Sequence, residues 1–528
     1  MRTGPSSPAG RPAWWIVVWG LFGVGVVGRL APLFNQANRV FWQWPTEDGY
    51  LMMTIARHLA IGNGFATADG SIPTNGTQPG VTLVISGLFS LAGGDRFWGV
   101  WLTQLALTAT SVVAALLLVR LVERCLGDHP QARPAAWLTS AVWFSGSLFM
   151  MHSMNCLETG PYALMVIAVA LVFSESNEEG RTPWPLGKCL AVGLLLGLAF
   201  WIRNDAVFLI LAACLTYVWS GYVAGGKELA RNHFLRTLIF GSTSVAVAVP
   251  WLAFNQINFG HIMPVSGRAE SLNAGFATNL HLVAPNFVEN ALAILPIPRA
   301  IETTTAFEVA AVLGVLLYAA LVRRLWSPAS DRARRVIVLA VIYIPCLMAF
   351  YGLFFGAGWF IPRYFYPFTP LLMVVWAVVT LAILERLPGP LPTLAVAALL
   401  PLALATNVLQ YRRGDDHQHD QVVHWVEENV AEDEWVAAVQ TGTLNFFHDR
   451  TLNLDGKVNI AAYEALSEGK GVEYLRDQTR VKYMVDWTDA VRDWVADPNM
   501  NGAFELVFTD DDANVGAARR VEDGAAGS

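Results

Sequence analysis

The sequence predicts an α-helical membrane protein that crosses the bilayer many times and ends in a small α/β domain. Of its 528 residues, 54% are hydrophobic and only 15% are charged, and the mean hydropathy is +0.42. Soluble globular proteins average roughly 25% charged residues. The chain also contains repeated apolar runs of about 20 residues, the length that crosses the hydrocarbon core of a bilayer. Together these observations exclude a cytosolic enzyme and a disordered chain.

About eleven apolar segments are interpreted as membrane-spanning helices. The first follows Arg2 and Arg11 and lacks a small-residue cleavage site, so it is interpreted as an uncleaved span and not as a signal peptide. The predicted spans are 13–33, 97–122, 135–151, 156–173, 188–203, 204–222, 236–254, 304–322, 336–355, 363–383 and 391–409.

The charges are divided unequally along the chain. The net charge is −7, but residues 410–528 contain 11 Lys and Arg against 24 Asp and Glu, and the remainder contains 24 against 18. Basic residues recur in alternate loops, and Lys and Arg accumulate on the cytoplasmic side of a membrane. The sequence therefore predicts a multi-pass protein of the inner (plasma) membrane, with a cytoplasmic N-terminus and an acidic C-terminal domain on the periplasmic or extracellular side.

Two regions are predicted. Residues 1–409 form a transmembrane domain with long outer loops at 34–96 and 255–303, and residues 410–528 form a soluble extracytoplasmic domain. The first outer loop contains an amphipathic helix, a Gly-, Asn- and Pro-rich turn, and a short apolar run at 81–93. This run is expected to lie in the membrane interface or to re-enter the membrane.

The pattern of the tail is typical of a small α/β module. Residues 424–430 favour a helix, and residues 435–440 and 481–485 favour strands. The Asp-, Gly- and Ala-rich end after Asp510 is expected to be frayed or disordered.

Two adjacent acids in the first outer loop are the leading catalytic candidates. Glu47 and Asp48 lie in the segment Trp44–Tyr50, shortly after the first span. A carboxylate there could deprotonate an acceptor hydroxyl, or hold a cation that positions a phosphate. The alternative is that both acids only stabilise a helix N-terminus after Thr46.

Other polar residues of this loop have a structural as well as a functional interpretation. Arg57 and His58 fall in the C-terminal half of the predicted helix, where they could complement the helix dipole or contact a headgroup. Asn75 begins a glycosylation triplet, but its Pro- and Gly-rich surroundings favour a tight loop.

Ionisable clusters also occur where later spans meet the outer face. They contain Glu158, Arg203 with Asp205, and Arg363. Charged groups at membrane depth are usually paired or functional, so an Arg203–Glu158 ion pair is one expectation. Phosphate binding by Arg363 is another, because a planar guanidinium matches phosphate oxygens. No nucleotide-binding loop, serine-hydrolase elbow or Cys/His metal motif is present in the sequence. Three histidines of the acidic linker are expected to be solvated: His417, His419 and His424.

Six segments follow one another in the order of a known family pattern. They are TEDGYLMMTIARHLAIGNGF with PTNGTQPGVTL, NCLETG, WIRNDAVFL, PWLAFNQINFGHIMPVSG, IPRYFYPFTPLL and NLDGKVN. In this order they resemble the motifs of bacterial GT-C membrane glycosyltransferases. That superfamily includes protein O-mannosyltransferases, lipid A aminoarabinose transferases and mycobacterial arabinofuranosyltransferases.

The resemblance implies a GT-C fold of about eleven transmembrane helices and a hexosyl- or pentosyltransferase activity. Such an enzyme passes a sugar from a polyprenyl-phosphate donor to a cell-envelope glycan, lipid or protein acceptor at the outer membrane face. By this resemblance Asp48 is the best match to the base, and Glu47 is second. The implied donor-phosphate contacts are Arg363, Arg57, His58, Arg203 and Arg268. The implied substrate contacts are Tyr50, Glu158, Asp205, Tyr364, Asn75 and Gln78.

The sequence departs from the family pattern at some positions and leaves other functions open. Asn204 stands where relatives usually have Pro, and Lys457 stands where they have an apolar residue. The alternatives are a transporter or flippase of lipid-linked sugars and a non-catalytic scaffold for envelope assembly. The sugar, the acceptor and a need for a divalent cation stay undecided. No certain cofactor, protein metal ligand or nucleic-acid partner is predicted.

Overall fold

The structure is a computed structural model that describes residues 11–34, 44–175, 181–272, 274–292, 304–326, 329–413 and 419–521. Helices dominate it up to residue 413, in agreement with the predicted class. The α-helices of this part are Arg11–Leu30, Glu47–Ala60, Pro79–Leu91, Arg96–Leu126, Ala132–Ser145, Ser147–Met154, Thr159–Phe173, Leu186–Ile202, Ala206–Phe259, Val265–Leu272, Leu280–Leu292, Thr305–Trp326, Asp331–Leu353, Ile361–Phe365, Thr369–Leu384 and Leu391–Arg413.

Seven helices within the described ranges are long and apolar enough to cross a membrane, or eight if the bent pair Ser147–Met154 and Thr159–Phe173 counts as one span. The chain is therefore a multi-pass membrane protein. All eleven predicted segments coincide with helices. The lower number arises because Leu186–Ile202 is short, the segment 135–151 is split at Gly146, and two predicted spans share the helical element Ala206–Phe259.

The element Ala206–Phe259 is a helical hairpin. Its 54 residues would extend roughly 80 Å as one straight helix. Gly225 and Gly226 have non-helical backbone angles, with φ of +69° at Gly226, a value that glycine adopts without strain. The rings of Tyr217 and His233, on either side of this break, lie 4.4 Å apart. The two halves therefore pack against each other.

Close packing brings the helix Leu186–Ile202 against the second half of this hairpin. A Cβ atom at Gly193 would lie 2.5 Å from Thr243 Cβ, and one at Gly197 would lie 2.5 Å from Val247 Cβ. Small residues at such positions let two helix backbones approach, which is a common way to associate helices in a membrane.

The first outer loop forms a layer over the ends of the helical bundle. Its helix Glu47–Ala60 begins after Thr46, whose side chain accepts a hydrogen bond from Gly49 N. The apolar run predicted at 81–93 is the helix Pro79–Leu91, and its 13 residues are too few to cross a bilayer. It packs against Glu47–Ala60 and Arg96–Leu126.

The C-terminal domain, residues 419–521 in the structure, contains a five-stranded mixed sheet. A separate hairpin in the first loop consists of β1 (Ala66–Thr67) and β2 (Ile72–Pro73). The strands of the sheet are β3 (Val436–Ala438), β4 (Thr451–Asn453), β5 (Tyr483–Asp486), β6 (Phe504–Asp510) and β7 (Val515–Arg520). The strand order is β4-β3-β5-β7-β6, with β3 parallel to β4 and β5, and β7 antiparallel to β5 and β6. The α-helices of this domain are Asp420–Asn429, Gly442–Phe447, Ile460–Ser467, Gly471–Gln478 and Thr488–Ala496.

Two expectations for the tail were wrong. Residues 511–521 are not frayed, because β7 lies inside the sheet between β5 and β6, and residues 522–528 lie outside the described residues. The Gly and Ala residues of β7 are small enough to pack under the helix Thr488–Ala496: a Cβ atom at Gly516 would lie 3.1 Å from Thr488 Cα. His419 is fully buried and not solvated. His424 is half-exposed as expected, and His417 lies outside the described residues.

Candidate active site

A cavity of about 500 Å³ opens where the helical part meets the C-terminal domain. Its lining includes the apolar residues Val207, Phe350 and Phe354. It also includes the acidic residues Asp48, Glu158, Asp205 and Glu270 and the basic residues Arg203, Arg268, Arg363 and Lys457. The cavity is therefore amphipathic, with equal numbers of acidic and basic side chains.

Asp48 lies in the first turn of the helix Glu47–Ala60 and faces the cavity. Its Oδ2 atom accepts a hydrogen bond of 2.7 Å from Arg363 Nη1, and the two side chains are 24% and 14% exposed. Burial raises the pKa of the Asp48 carboxyl, but the charges of Arg363 and Lys457 and the Arg363 hydrogen bond outweigh burial and hold the pKa below its usual value. Asp48 is therefore ionised at neutral pH.

Glu47 does not line the cavity but binds the C-terminal domain. Its carboxylate accepts hydrogen bonds from the backbone N–H of Thr443, at 3.2 Å, and from the Thr443 hydroxyl. His419 Nδ1 lies 3.9 Å from the same carboxylate, and His419 Nε2 lies 3.1 Å from Asp486 Oδ1. The two adjacent acids therefore contact different parts of the molecule: Asp48 lines the cavity, and Glu47 binds the C-terminal domain.

A second ionic cluster is built on Arg203. Its guanidinium lies 2.9 Å from Asp205 Oδ2 and 3.9 Å from Glu158 Oε1, so Asp205 is the closer partner. Tyr351 accepts a hydrogen bond from Arg203 and donates one to Asp205. The Tyr364 ring stacks on Tyr351 at 4.3 Å. These contacts hold Arg203, Asp205 and the two tyrosines together in the cavity lining.

Several polar atoms of the cavity residues are buried without a hydrogen-bond partner. They are Gln78 Oε1, Arg203 Nη1, Asn204 Oδ1, Asp205 Oδ1 and Arg363 Nε. Buried polar groups in folded proteins almost always have a partner. These atoms can form hydrogen bonds to water or to a polar ligand in the cavity.

Arg268 is carried by the short helix Val265–Leu272, which forms one side of the cavity. Its guanidinium lies over the Tyr463 ring at 4.3 Å. Within the described residues, no carboxylate lies within ion-pair distance of Arg268. By contrast, Arg203, Arg363 and Lys457 each have a carboxylate partner. Arg268 therefore has charge available for an anionic ligand.

Lys457 and Glu270 are cavity residues that motif comparison did not select as site residues. Lys457 comes from the C-terminal domain, and its Nζ lies 3.0 Å from Glu270 Oε1, on the same helix as Arg268. The sequence feature that could have identified Lys457 is its place in the NLDGKVN motif, where relatives usually have an apolar residue. Glu270 had no signal beyond its proximity to Arg268 in the chain.

Besides Glu47, four candidates lie outside the cavity lining. Arg57 donates to Gly94 O and lies 3.3 Å from Asp449, and His58 Nε2 lies 2.8 Å from Ala68 O. Tyr50 is buried against Phe446 and Phe447. The Asn75 side chain contacts Asn255 and accepts a hydrogen bond from Val265 N. Asn75 therefore supports the start of the helix that carries Arg268.

The remaining predicted contacts line the cavity, namely Glu158, Asp205, Tyr364 and Gln78. Within the ranges that the structure describes, no group of three or more His, Cys, Asp or Glu side chains could hold a metal ion.

Solved structures with this architecture are membrane enzymes with the GT-C fold. ArnT from Cupriavidus metallidurans bound to undecaprenyl phosphate is similar with a TM-score of 0.62, 13% identity, and coverage of 96% of this chain and 98% of ArnT. The apo state of ArnT gives a TM-score of 0.57 at 14% identity, over 96% of this chain and 98% of ArnT.

The archaeal oligosaccharyltransferase AglB from Archaeoglobus fulgidus, in complex with an inhibitory peptide and a dolichol-phosphate, gives a TM-score of 0.53. It is 11% identical, over 97% of this chain and 74% of AglB. The GT-C fold and the resemblance on which it was predicted are therefore confirmed at the level of fold.

Sequence comparison covers only the end of the chain. Residues 407–521 match a domain of unknown function, DUF8728. No curated protein sequence matches significantly.

Proposed function

We propose that the chain is a membrane glycosyltransferase that passes a sugar from a polyprenyl-phosphate donor to an acceptor at the outer membrane face. The observation that carries this proposal is the amphipathic cavity, whose lining includes the ionised Asp48, a set of cations and apolar side chains. A lipid-linked sugar has matching parts, since its chain is apolar, its phosphate is anionic and its sugar is polar.

The proposed orientation of the donor follows from the residues of the cavity lining. Phe350, Phe354 and Val207 would contact the prenyl chain, and Arg268 would bind the phosphate, because its guanidinium has no carboxylate partner among the described residues. One cation without an acidic partner suits a monophosphate better than a diphosphate, since binding the second phosphate would require breaking another ion pair. Arg363 and Arg203 would stabilise the departing phosphate from their present positions.

Asp48 is the proposed base. It would take the proton of the acceptor hydroxyl while that oxygen bonds to the anomeric carbon, and the bond between this carbon and the phosphate oxygen would break. The bonding electrons would leave with the phosphate, and the sugar would be transferred with inversion. Glu158, Asp205, Tyr364 and Gln78 line the same cavity and would bind hydroxyl groups of the sugar or the acceptor.

The fold relatives support the class of donor. ArnT has been seen with undecaprenyl phosphate and AglB with a dolichol-phosphate, and both ligands are polyprenol phosphates. The acceptor is proposed to be a glycan, lipid or protein of the cell envelope, which the protein would meet from the inner (plasma) membrane.

The decisive experiment compares two neighbouring acids. Purified wild type, Asp48→Asn and Glu47→Gln are assayed with a panel of polyprenyl-phosphate sugars. General-base catalysis contributes roughly 100- to 10,000-fold, so Asp48→Asn should lose at least about 100-fold in kcat. Glu47→Gln should mainly lower the thermal stability and should have a smaller effect on kcat than Asp48→Asn. Absence of transfer with every donor would refute the proposed function, and full activity of Asp48→Asn would refute the role of Asp48.

A further inference from the structure

A cation of the C-terminal domain reaches into the cavity of the helical part. Lys457 follows β4, and its Nζ lies 3.0 Å from Glu270 Oε1 and 3.8 Å from Asp455 Oδ2. The side chain is only 18% exposed. A lysine held this way between two carboxylates is not a solvated surface charge, and burying it is favourable only because the acids compensate its desolvation.

Lys457 and Arg363 lie near the same aromatic ring. The Phe360 ring centroid is 5.1 Å from Lys457 Nζ and 4.4 Å from Arg363 Cζ. Arg363 in turn holds Asp48 at 2.7 Å. Two cations from separate parts of the chain therefore line the cavity together with the proposed base, and Arg363 contacts that base directly.

The backbone at Lys457 is fixed against the first outer loop. A Cβ atom at Gly76 would lie 2.1 Å from the Lys457 carbonyl oxygen, so only glycine allows this approach. The next residue, Val458, is buried with Leu51 and Ile55 of the helix that carries Asp48. Docking of the C-terminal domain thus sets the position of the lysine relative to Asp48.

We propose that Lys457 is a positioning residue that the C-terminal domain supplies to the transfer reaction. It anchors Glu270, and with it the helix that carries Arg268, and together with Arg363 it keeps the Asp48 carboxylate facing the cavity. This inference rests on the proposed function and extends it, because it makes sugar transfer depend on the docked C-terminal domain.

The electrostatic consequence has a definite sign. The charge of Lys457 contributes to the lowered pKa of Asp48, and Asp48, Asp455 and Glu270 overcome burial to raise the pKa of Lys457. A neutral residue at position 457 would let the pKa of Asp48 rise. Since the base must be unprotonated, the acid limb of the pH–rate profile would move to higher pH.

The test uses the full-length protein in lipid nanodiscs, and the variants are Lys457→Met, Lys457→Arg and the control Lys470→Met. Lys470 lies in the same domain but is 63% exposed and pairs with Glu468. We expect Lys457→Met to shift the acid limb upward and to weaken undecaprenyl phosphate binding about 10-fold. Lys457→Arg should restore both properties, and Lys470→Met should match wild type.

A fourth variant distinguishes the anchoring of Glu270 by Lys457 from the effect of the Lys457 charge on Asp48. It also provides a second test if Lys457→Met does not fold. Glu270→Gln keeps the charge of Lys457, so it should weaken undecaprenyl phosphate binding but leave the acid limb in place. If Lys457→Met does not melt cooperatively, the comparison of Glu270→Gln with wild type decides instead. Unchanged lipid binding by Glu270→Gln would then overturn the proposal.

Failure of the proposed function is distinguishable from failure of this inference. If wild type transfers no sugar, the proposed function fails, and Lys457 is judged by undecaprenyl phosphate binding alone. Identical binding by wild type and Lys457→Met would then overturn the inference as well. If wild type is active, superimposed pH profiles of wild type and Lys457→Met would overturn the inference and leave the proposed function standing.

Discussion

At the scale of single residues, adjacent side chains have separate tasks. Asp48 faces the cavity and pairs with Arg363, whereas Glu47 binds Thr443 of the C-terminal domain. Successive positions on a helix point about 100° apart, so one acid can line a site while its neighbour holds the adjoining domain. Both acids lie in the first turn of their helix, where the structural alternative placed them, and only Asp48 also lines the cavity.

His419 should make the stability of the molecule depend on pH. It is fully buried between Glu47 and Asp486. Burial lowers its pKa, but the Glu47 charge and the Asp486 hydrogen bond outweigh burial, and the net pKa lies above its ordinary value. A raised pKa in the folded state means that protonation stabilises the fold. This contribution is complete below the unfolded pKa of roughly 6.5 and is lost as the pH rises through the folded-state pKa.

The measurement is the Tm of the purified protein between pH 5.5 and 8.5. Wild type should lose a few degrees as the pH rises, and His419→Gln, which stays neutral, should lose most of this dependence. His424→Gln is the control, because His424 is 56% exposed and should contribute little. Parallel Tm curves for wild type and His419→Gln would show that the Glu47–His419–Asp486 contact does not titrate in this range.

How far the sequence predicts the site depends on how local its signals are. Glu158, Arg203 and Arg363 lie in short motifs at the ends of apolar segments, so their position in the sequence was sufficient to select them. Asp48 was preferred to Glu47 only by the resemblance to the family motif. Lys457 and Glu270 meet only because the C-terminal domain docks on the second outer loop. The hydrophobic periodicity of the sequence gives no information about a contact between residues so far apart in the chain. Arg57 was a candidate because it is a cation close to Asp48 in the sequence. In the structure it pairs with Asp449 and lies outside the cavity lining.

At the scale of elements, the site depends on close backbone contacts between the first outer loop and the C-terminal domain. A Cβ atom at Gly442 would lie 1.8 Å from the carbonyl oxygen of Glu47. This neighbour is backbone at the start of the helix that carries Asp48, so it cannot turn away as a side chain would. The helix Gly442–Phe447 can therefore dock only if its first residue is glycine.

Gly442→Ala should consequently separate the two parts of the molecule and distort the active site. Overpacking of this kind typically costs about 1–3 kcal/mol, so we expect a lower Tm, faster limited proteolysis and reduced transfer. The matched control is Gly87→Ala, since a Cβ atom at Gly87 would meet nothing within 4 Å. A Gly442→Ala protein that melts and digests like wild type would contradict the docking seen here.

Helix boundaries show which elements the sequence predicts well. Each predicted apolar span is helical, because a run of apolar residues in lipid must satisfy its backbone hydrogen bonds internally. The break at Gly225 and Gly226 was anticipated as a loop between two spans, although the helical hairpin there is tighter than a loop. Strand β7 was missed because its small residues carry little hydrophobic signal until the helix Thr488–Ala496 covers them.

At the scale of the whole molecule, one helix has an arginine-rich end and an end that lines the cavity. The helix Asp331–Leu353 has Arg332, Arg334 and Arg335 in its first turns, whereas Phe350 and Tyr351 near its other end line the cavity. The two groups are 15 to 19 residues apart on the helix, or roughly 22–29 Å, which is close to the thickness of the hydrocarbon core, about 30 Å. Since arginine-rich loops stay in the cytoplasm, the cavity and the C-terminal domain are expected on the outer side.

Fusions to alkaline phosphatase test this orientation, because that enzyme acquires its disulfides only in an oxidising compartment. A fusion after Tyr411, at the end of the helix Leu391–Arg413, should be active in bacteria, and a fusion after Arg324 should be inactive. The two sites lie on opposite sides of the proposed membrane region, so each fusion controls for the expression of the other. The reverse result would place the cavity in the cytoplasm, and a sugar leaving its lipid there would have to pass to a cytoplasmic acceptor and not to the cell envelope.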